Sequence, residues 1–77
     1  MMKSDAFQRA VDGFKHRQPF QPFVVELDDG ERLLVEQPEV LHCFAGSALH
    51  YPPGGRMTLV DAEDVKHVLE FAAAPPS

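Results

Sequence analysis

The chain reads as an α+β domain in which one N-terminal helix packs on a curved antiparallel sheet of five or six short strands. Three observations predict this. Apolar residues recur at helical spacing over residues 5–17, the apolar period changes to two from Pro22 onward, and Gly, Pro and Asp clusters then punctuate the chain at short intervals.

The helix is predicted over 5–17. Ser4 or Asp5 is available to cap the free N–H groups of the first turn, and Phe7, Ala10, Val11 and Phe14 fall within an arc of about 100° at the helical pitch. Arg9, Asp12 and His16 project the other way, Gly13 weakens the interior slightly, and Pro19 ends the helix by excluding its predecessor from the α region.

The stretch PFQPFVVELDDGERLLVEQPEV, residues 19–40, writes a hairpin. Phe23, Val25 and Leu27 alternate with Val24, Glu26 and Asp28, so the first set faces a core. Asp28-Asp29-Gly30 supplies residues that accept a turn, and Leu33 and Val35 alternate with Arg32, Leu34 and Glu36 in the returning strand. Val24 and Leu34 are the apolar residues of this hairpin's outward face, which makes them candidates for a contact with another chain. Pro38 stops the ladder because it has no N–H to donate.

The second half repeats this grammar more weakly. Residues 40–44 and 48–51 read as short strands separated by Ala45-Gly46-Ser47, and Pro52-Pro53-Gly54-Gly55 is a loop. Residues 56–60 form the next strand with Met57 and Leu59 on one face, and Asp61 followed by Asp64 resembles a single capped helical turn. Val65, Val68 and Phe71 fit either a closing strand or a short helix. The sheet is thus expected over 22–71 of a single domain, 1–71, followed by a disordered tail at 72–77 that contains Pro75-Pro76. By order of elements the nearest named architecture is a small SH3-like or Sm-like barrel, with a helical turn before the last strand; such an analogy carries no function.

A domain of 77 residues buries only about 60% of the surface that its unfolded chain exposes. A core that thin calls for outside support, and with Cys43 as the one cysteine no internal disulfide provides it, so self-association is expected. The N-terminal residues lack the apolar run of a secretory signal and no window approaches a membrane span, which points to a soluble cytoplasmic protein with no membrane partner. The net charge is −5, unevenly spread: four cations against two carboxylates give +2 in residues 1–20, and three against ten give −7 in the rest. So acidic a body repels phosphate backbones, which disfavours nucleic acid as a partner.

The stretch 19–40 resembles a group of small uncharacterised bacterial proteins that share a leading helix, an RPFxPF-type lead-in, a strand ending in a DG turn and a following V-x-H-P-E segment. TLVDAEDVKHVLEF, residues 58–71, is similar to the closing segment of that group. In this chain Gln18 stands before Pro19 and Gln37 before Pro38-Glu39. The resemblance implies no known activity, and its motifs describe a hairpin.

No residue set has the spacing that a known chemistry requires. Zinc needs three or four converging ligands at spacings such as C-x₂₋₄-C or H-x₃₋₅-H, and His42, Cys43, His50 and His67 offer none of them; adjacent His42 and Cys43 point to opposite faces of a strand. Asp28, Asp29 and Glu31 form too short a run for a calcium loop, and Gly54-Gly55 lacks the pattern of a phosphate loop. Neither a metal nor a cofactor is expected, and no catalytic residue is assigned. Tyr51 and Arg56, flanking the proline-glycine loop, are residue types favoured at interface hot spots and complete the interaction candidates with Val24 and Leu34. Phe20 and Phe23 are expected to pin the helix across the core.

The leading expectation is a non-enzymatic protein-interaction or oligomerisation module, associating through an unpaired strand edge or through Val24 and Leu34. Two alternatives come from other classes. An Sm-like RNA-binding ring would rely on Arg32, Arg56 and Lys66, the cations beyond residue 20, and a small enzyme would pair Cys43 with His50 or His67.

Overall fold

A computed structural model describes residues 2–71. The expectation for residues 72–77 lies outside the described residues. Helix α1 spans Ser4–Lys15, and strands β1 (Phe23–Leu27), β2 (Arg32–Val35), β3 (Leu41–Phe44), β4 (Ser47–His50), β5 (Thr58–Asp61) and β6 (Val65–Glu70) follow. One 3₁₀ turn, Pro38–Val40, precedes β3 and another, Ala62–Asp64, precedes β6. The final apolar segment is therefore a strand.

All pairings are antiparallel, and they build two three-stranded sheets, β2-β1-β6 and β3-β4-β5. The sheets are open. Of the two forms that the sequence allowed, a curved sheet and a closed barrel, closure does not occur, because no ladder joins β2 to β3 or β5 to β6 among the described residues. The cause is local. Pro38 cannot donate to a ladder and starts a 3₁₀ turn that redirects the chain between β2 and β3, and the second 3₁₀ turn does the same between β5 and β6.

The turns follow from their residues. Gly30 sits at φ +93°, its N–H donates to Leu27 O at 2.9 Å, and the Asp29 carboxylate accepts from the Glu31 N–H at 2.9 Å. Between β3 and β4, Ala45 (φ +48°) and Gly46 (φ +81°) are both left-handed, the pattern of a two-residue type I′ hairpin. Glycine is required at 46 for a second reason, since a Cβ there would come within 2.8 Å of Ser4 Cβ in the first turn of α1. The start of the helix thus rests directly on the tip of the second sheet's hairpin.

Helix α1 buries Phe7 and Val11 fully, with Phe14 packed beside them, as its spacing predicts. Its N-cap is Lys3, without a side-chain cap bond, so neither Ser4 nor Asp5 caps it. The helix stops at Lys15, earlier than Pro19 requires: the Lys15 ammonium donates to Leu41 O at 2.7 Å, and the His16 N–H closes the last turn on Asp12 O. Phe23 lies in the centre of the resulting aromatic cluster, stacked on Phe14 at 5.1 Å and edge-on to Phe20 at 6.1 Å, with the Arg17 guanidinium 4.6 Å above the Phe14 ring. Phe20 and Phe23 do pin the helix to the sheet. One continuous core joins both sheets, with Phe23, Val25, Leu33 and Val35 from the first and Leu41, Ala48 and Val60 from the second.

Candidate functional site

The register sorts every strand residue to one of two faces, because directly paired residues share a face and neighbours along a strand do not. On the first sheet the outward face holds two rows. Leu34, Val24 and Leu69 are paired across β2, β1 and β6, and Arg32, Glu26 and His67 form the adjoining row. Of the two interaction candidates in this row, Val24, in the middle, is 9% exposed and Leu34 is half-buried, while Leu69 beside them is 38% exposed.

The charged row is closed on itself. His67 Nε2 donates to Glu26 Oε1, and Arg32 Nε stands 3.6 Å from Glu26 Oε2. The His67 hydrogen bond, aided by the charges of Arg32 and Lys66, holds the Glu26 carboxyl below the usual carboxylate range despite the opposing effect of burial. Of the three cations beyond residue 20, Arg32 is thus occupied, Arg56 lies in the loop before β5 and Lys66 in β6, so they form no common row.

The outward face of the second sheet is different. His42, Leu49 and Leu59 form one row and Phe44, Ser47 and Asp61 the next; Tyr51, just after β4, and Met57, just before β5, flank the ladders. Phe44 is 51% exposed, Tyr51 56%, Met57 59% and Leu59 64%. Asp61 is the one residue of this face that carries a formal charge at neutral pH, and it accepts from Ser47 Oγ at 2.7 Å. Met57, expected in the strand with Leu59, lies just before β5, and both are exposed; that Leu59 points to solvent, in company with Phe44 and Leu49, was not legible before the two sheets were in place.

Between the sheets runs a groove of about 250 Å³ lined by Leu34, Glu36, Gln37, Val40, Pro52 and Pro53. Leu34 therefore belongs to both the first sheet's outward face and this groove. Tyr51 and Arg56 stand exposed at the two ends of the proline-glycine loop that forms the groove's other wall. Beneath it, His50 Nε2 donates to Leu34 O at 2.9 Å, which fixes the edge of β2 to the second sheet.

Cys43 and His50 share the inward face of the second sheet, diagonal to each other across β3 and β4, and His67 lies on the outward face of the first. Cys43 is half-buried on the inward face of β3, and burial pushes its thiol pKa up, with the nearby Lys15 ammonium opposing the shift. A thiol so placed is a weak nucleophile at neutral pH. His50 Nε2 is engaged with Leu34 O and His67 Nε2 with Glu26. Among the described residues no three His, Cys, Asp or Glu side chains are grouped to hold a metal ion, and no helix is long and apolar enough to cross a membrane.

No family model matches the chain, and neither the curated proteins nor the solved structures contain a significant match to it.

Proposed function

We propose that this protein is a non-enzymatic interaction module of the cytoplasm, which works by presenting apolar sheet faces to a second polypeptide. The observation that carries this reading is the outward face of the second sheet, where Phe44 and Leu59 are each more than half exposed on the strands and Tyr51 and Met57, equally exposed, flank their ends. Soluble domains seldom leave such residues contiguous unless something covers them. The aromatic groups and the methionine belong to the types enriched at interface centres, and strands place them at fixed spacing at little entropic cost. The free thiol of Cys43 suits a reducing compartment.

A photo-crosslinking amino acid in place of Leu59, irradiated in the living source cell, tests the reading. A covalent adduct of this chain with a polypeptide, heavier than 8.6 kDa, is expected. Recovery of the free chain alone would overturn it.

A further inference from the structure

The partner of this face follows from its charge and size. We propose that the outward face of the second sheet packs against the same face of a second copy of this chain, giving a two-fold symmetric dimer; this rests on the interaction-module reading above. A C₂ contact uses one patch twice, so the patch must tolerate its own image. For a chain of net charge −5 that condition is severe, because most of its surface repels a second copy. The second sheet's outward face meets it. Phe44, Leu49, Tyr51, Met57 and Leu59 are uncharged, and the carboxylate of Asp61 stands at the margin, at the end of β5. On the first sheet the outward face carries Arg32, Glu26 and His67 in a row across its three strands, and each is already engaged within the chain.

The area also fits. A buried aromatic side chain removes about 150–250 Å² from water, so half-exposed Phe44 and Tyr51 each leave about 100 Å² to be covered. Met57 and Leu59 leave a similar amount. With Leu49 and a polar margin the face offers about 500 Å² per copy, or about 1,000 Å² in all, the lower bound for specific association. Two such sheets would lie face to face about 10 Å apart with their strands within about 30° of parallel. The dimer would be weak and reversible, forming at micromolar concentrations.

The second sheet gains most from such a cover. Its inward face is built from Leu41, Ala48, Val60 and His50, a thinner set than the Phe23, Val25, Leu33 and Val35 of the first sheet. A second copy would turn a sheet with one apolar face buried into the middle layer of a sandwich.

Analytical ultracentrifugation of the purified chain tests the proposal. The mass is expected to rise with concentration from 8.6 kDa to twice that value, and Leu59→Glu is expected to weaken the association by at least about tenfold. Leu59→Thr, which keeps a strand-forming residue, guards against a folding defect and is expected to weaken it as well. Leu34→Glu, on the first sheet, is expected to leave it unchanged. A wild-type monomer at all concentrations would overturn the proposal, as would an association lost with Leu34→Glu and kept with Leu59→Glu. A monomer in the centrifuge together with a crosslink to another protein in the cell would sink the dimer and leave the module reading standing; a monomer with no crosslink would sink both.

Discussion

The two sheets have the same strand number and the same antiparallel pairing, yet they use their apolar residues in opposite ways. The first sheet places its large side chains inward, under the helix, where Phe23, Val25, Leu33 and Val35 are buried, and closes part of its outward face with the Glu26, Arg32 and His67 row. The second buries Leu41, Val60 and His50 around a fully buried Ala48 at its centre, and turns Phe44, Leu49 and Leu59 outward. The difference teaches that one sheet is the folding platform of the domain, while on the proposed reading the other serves as a surface for display. Helix α1 joins the two roles, since its apolar stripe packs on the first sheet's core while Ser4 sits against Gly46 in the second.

Replacing an aromatic residue in each sheet gives the sharpest contrast. Phe23→Ala removes a fully buried ring that stacks on Phe14 and meets Phe20, and it is expected to cost about 3–5 kcal/mol in urea unfolding, enough to unfold much of the population. Phe44→Ala removes an exposed ring and is expected to change the dilute-solution stability by no more than about 0.5 kcal/mol. Equal losses for the two would break the division between platform and display.

The hairpin turns sharpen it further. Both Gly30 and Gly46 are left-handed, but a Cβ at Gly30 would have no heavy atom within 4 Å, whereas at Gly46 it would press on Ser4. Gly30→Ala should therefore cost about 1 kcal/mol, from backbone strain alone. Gly46→Ala should cost about 2–3 kcal/mol, because the helix must shift as well. The two unfolding midpoints, compared directly, measure how firmly α1 is seated on the second sheet; indistinguishable values would mean that the contact contributes nothing.

His50 connects the halves. Its ring is buried and its Nε2 donates to Leu34 O, a carbonyl on the free edge of β2. His50→Leu keeps the bulk but strands that carbonyl, and a loss of about 1–2 kcal/mol is expected. Hydrogen exchange distinguishes this from a simple packing defect: protection should fall along the β2 edge and the groove as well as in β4. If only β4 responds, the sheets are not coupled through this bond.

Much of this architecture was legible in the residues, and what was not has a common cause. Helix, hairpin, Gly30 turn and 3₁₀ turn at 62–64 all follow from short-range chemistry that a local stretch contains in full. The helix starts one residue earlier and ends two residues earlier than expected; its C-terminal end is where Lys15 reaches Leu41, a contact 26 positions away. Openness of the sheets was equally out of reach, because closure depends on whether β5 and β6 meet in space. For the candidate site the problem was sharper. Alternation groups residues of one parity but does not say which side faces water, so the pattern alone does not mark Phe44, Leu49 and Leu59 as one surface. The available signal was an excess: four alternating strands of the second half carry apolar residues at both parities, more than a core of this size can take up.

The smallest expected effect concerns the charged row of the first sheet, and its sign is fixed by Glu26. The His67 hydrogen bond and the Arg32 charge hold the folded-state pKa of this carboxyl below that of the unfolded chain. The ionised form therefore favours the folded state, so its contribution is present at neutral pH and disappears as the pH falls through the folded-state value, below the usual carboxylate range. Glu26→Gln keeps the shape and removes the titration. At neutral pH the variant should unfold at slightly lower urea than the wild type, and the gap should narrow on acidification until the two coincide. A gap that stays constant down to strongly acid pH would mean that Glu26 acts on the sheet through packing alone, and the first sheet's outward face would then be held by the Leu34, Val24 and Leu69 row without help from its charges.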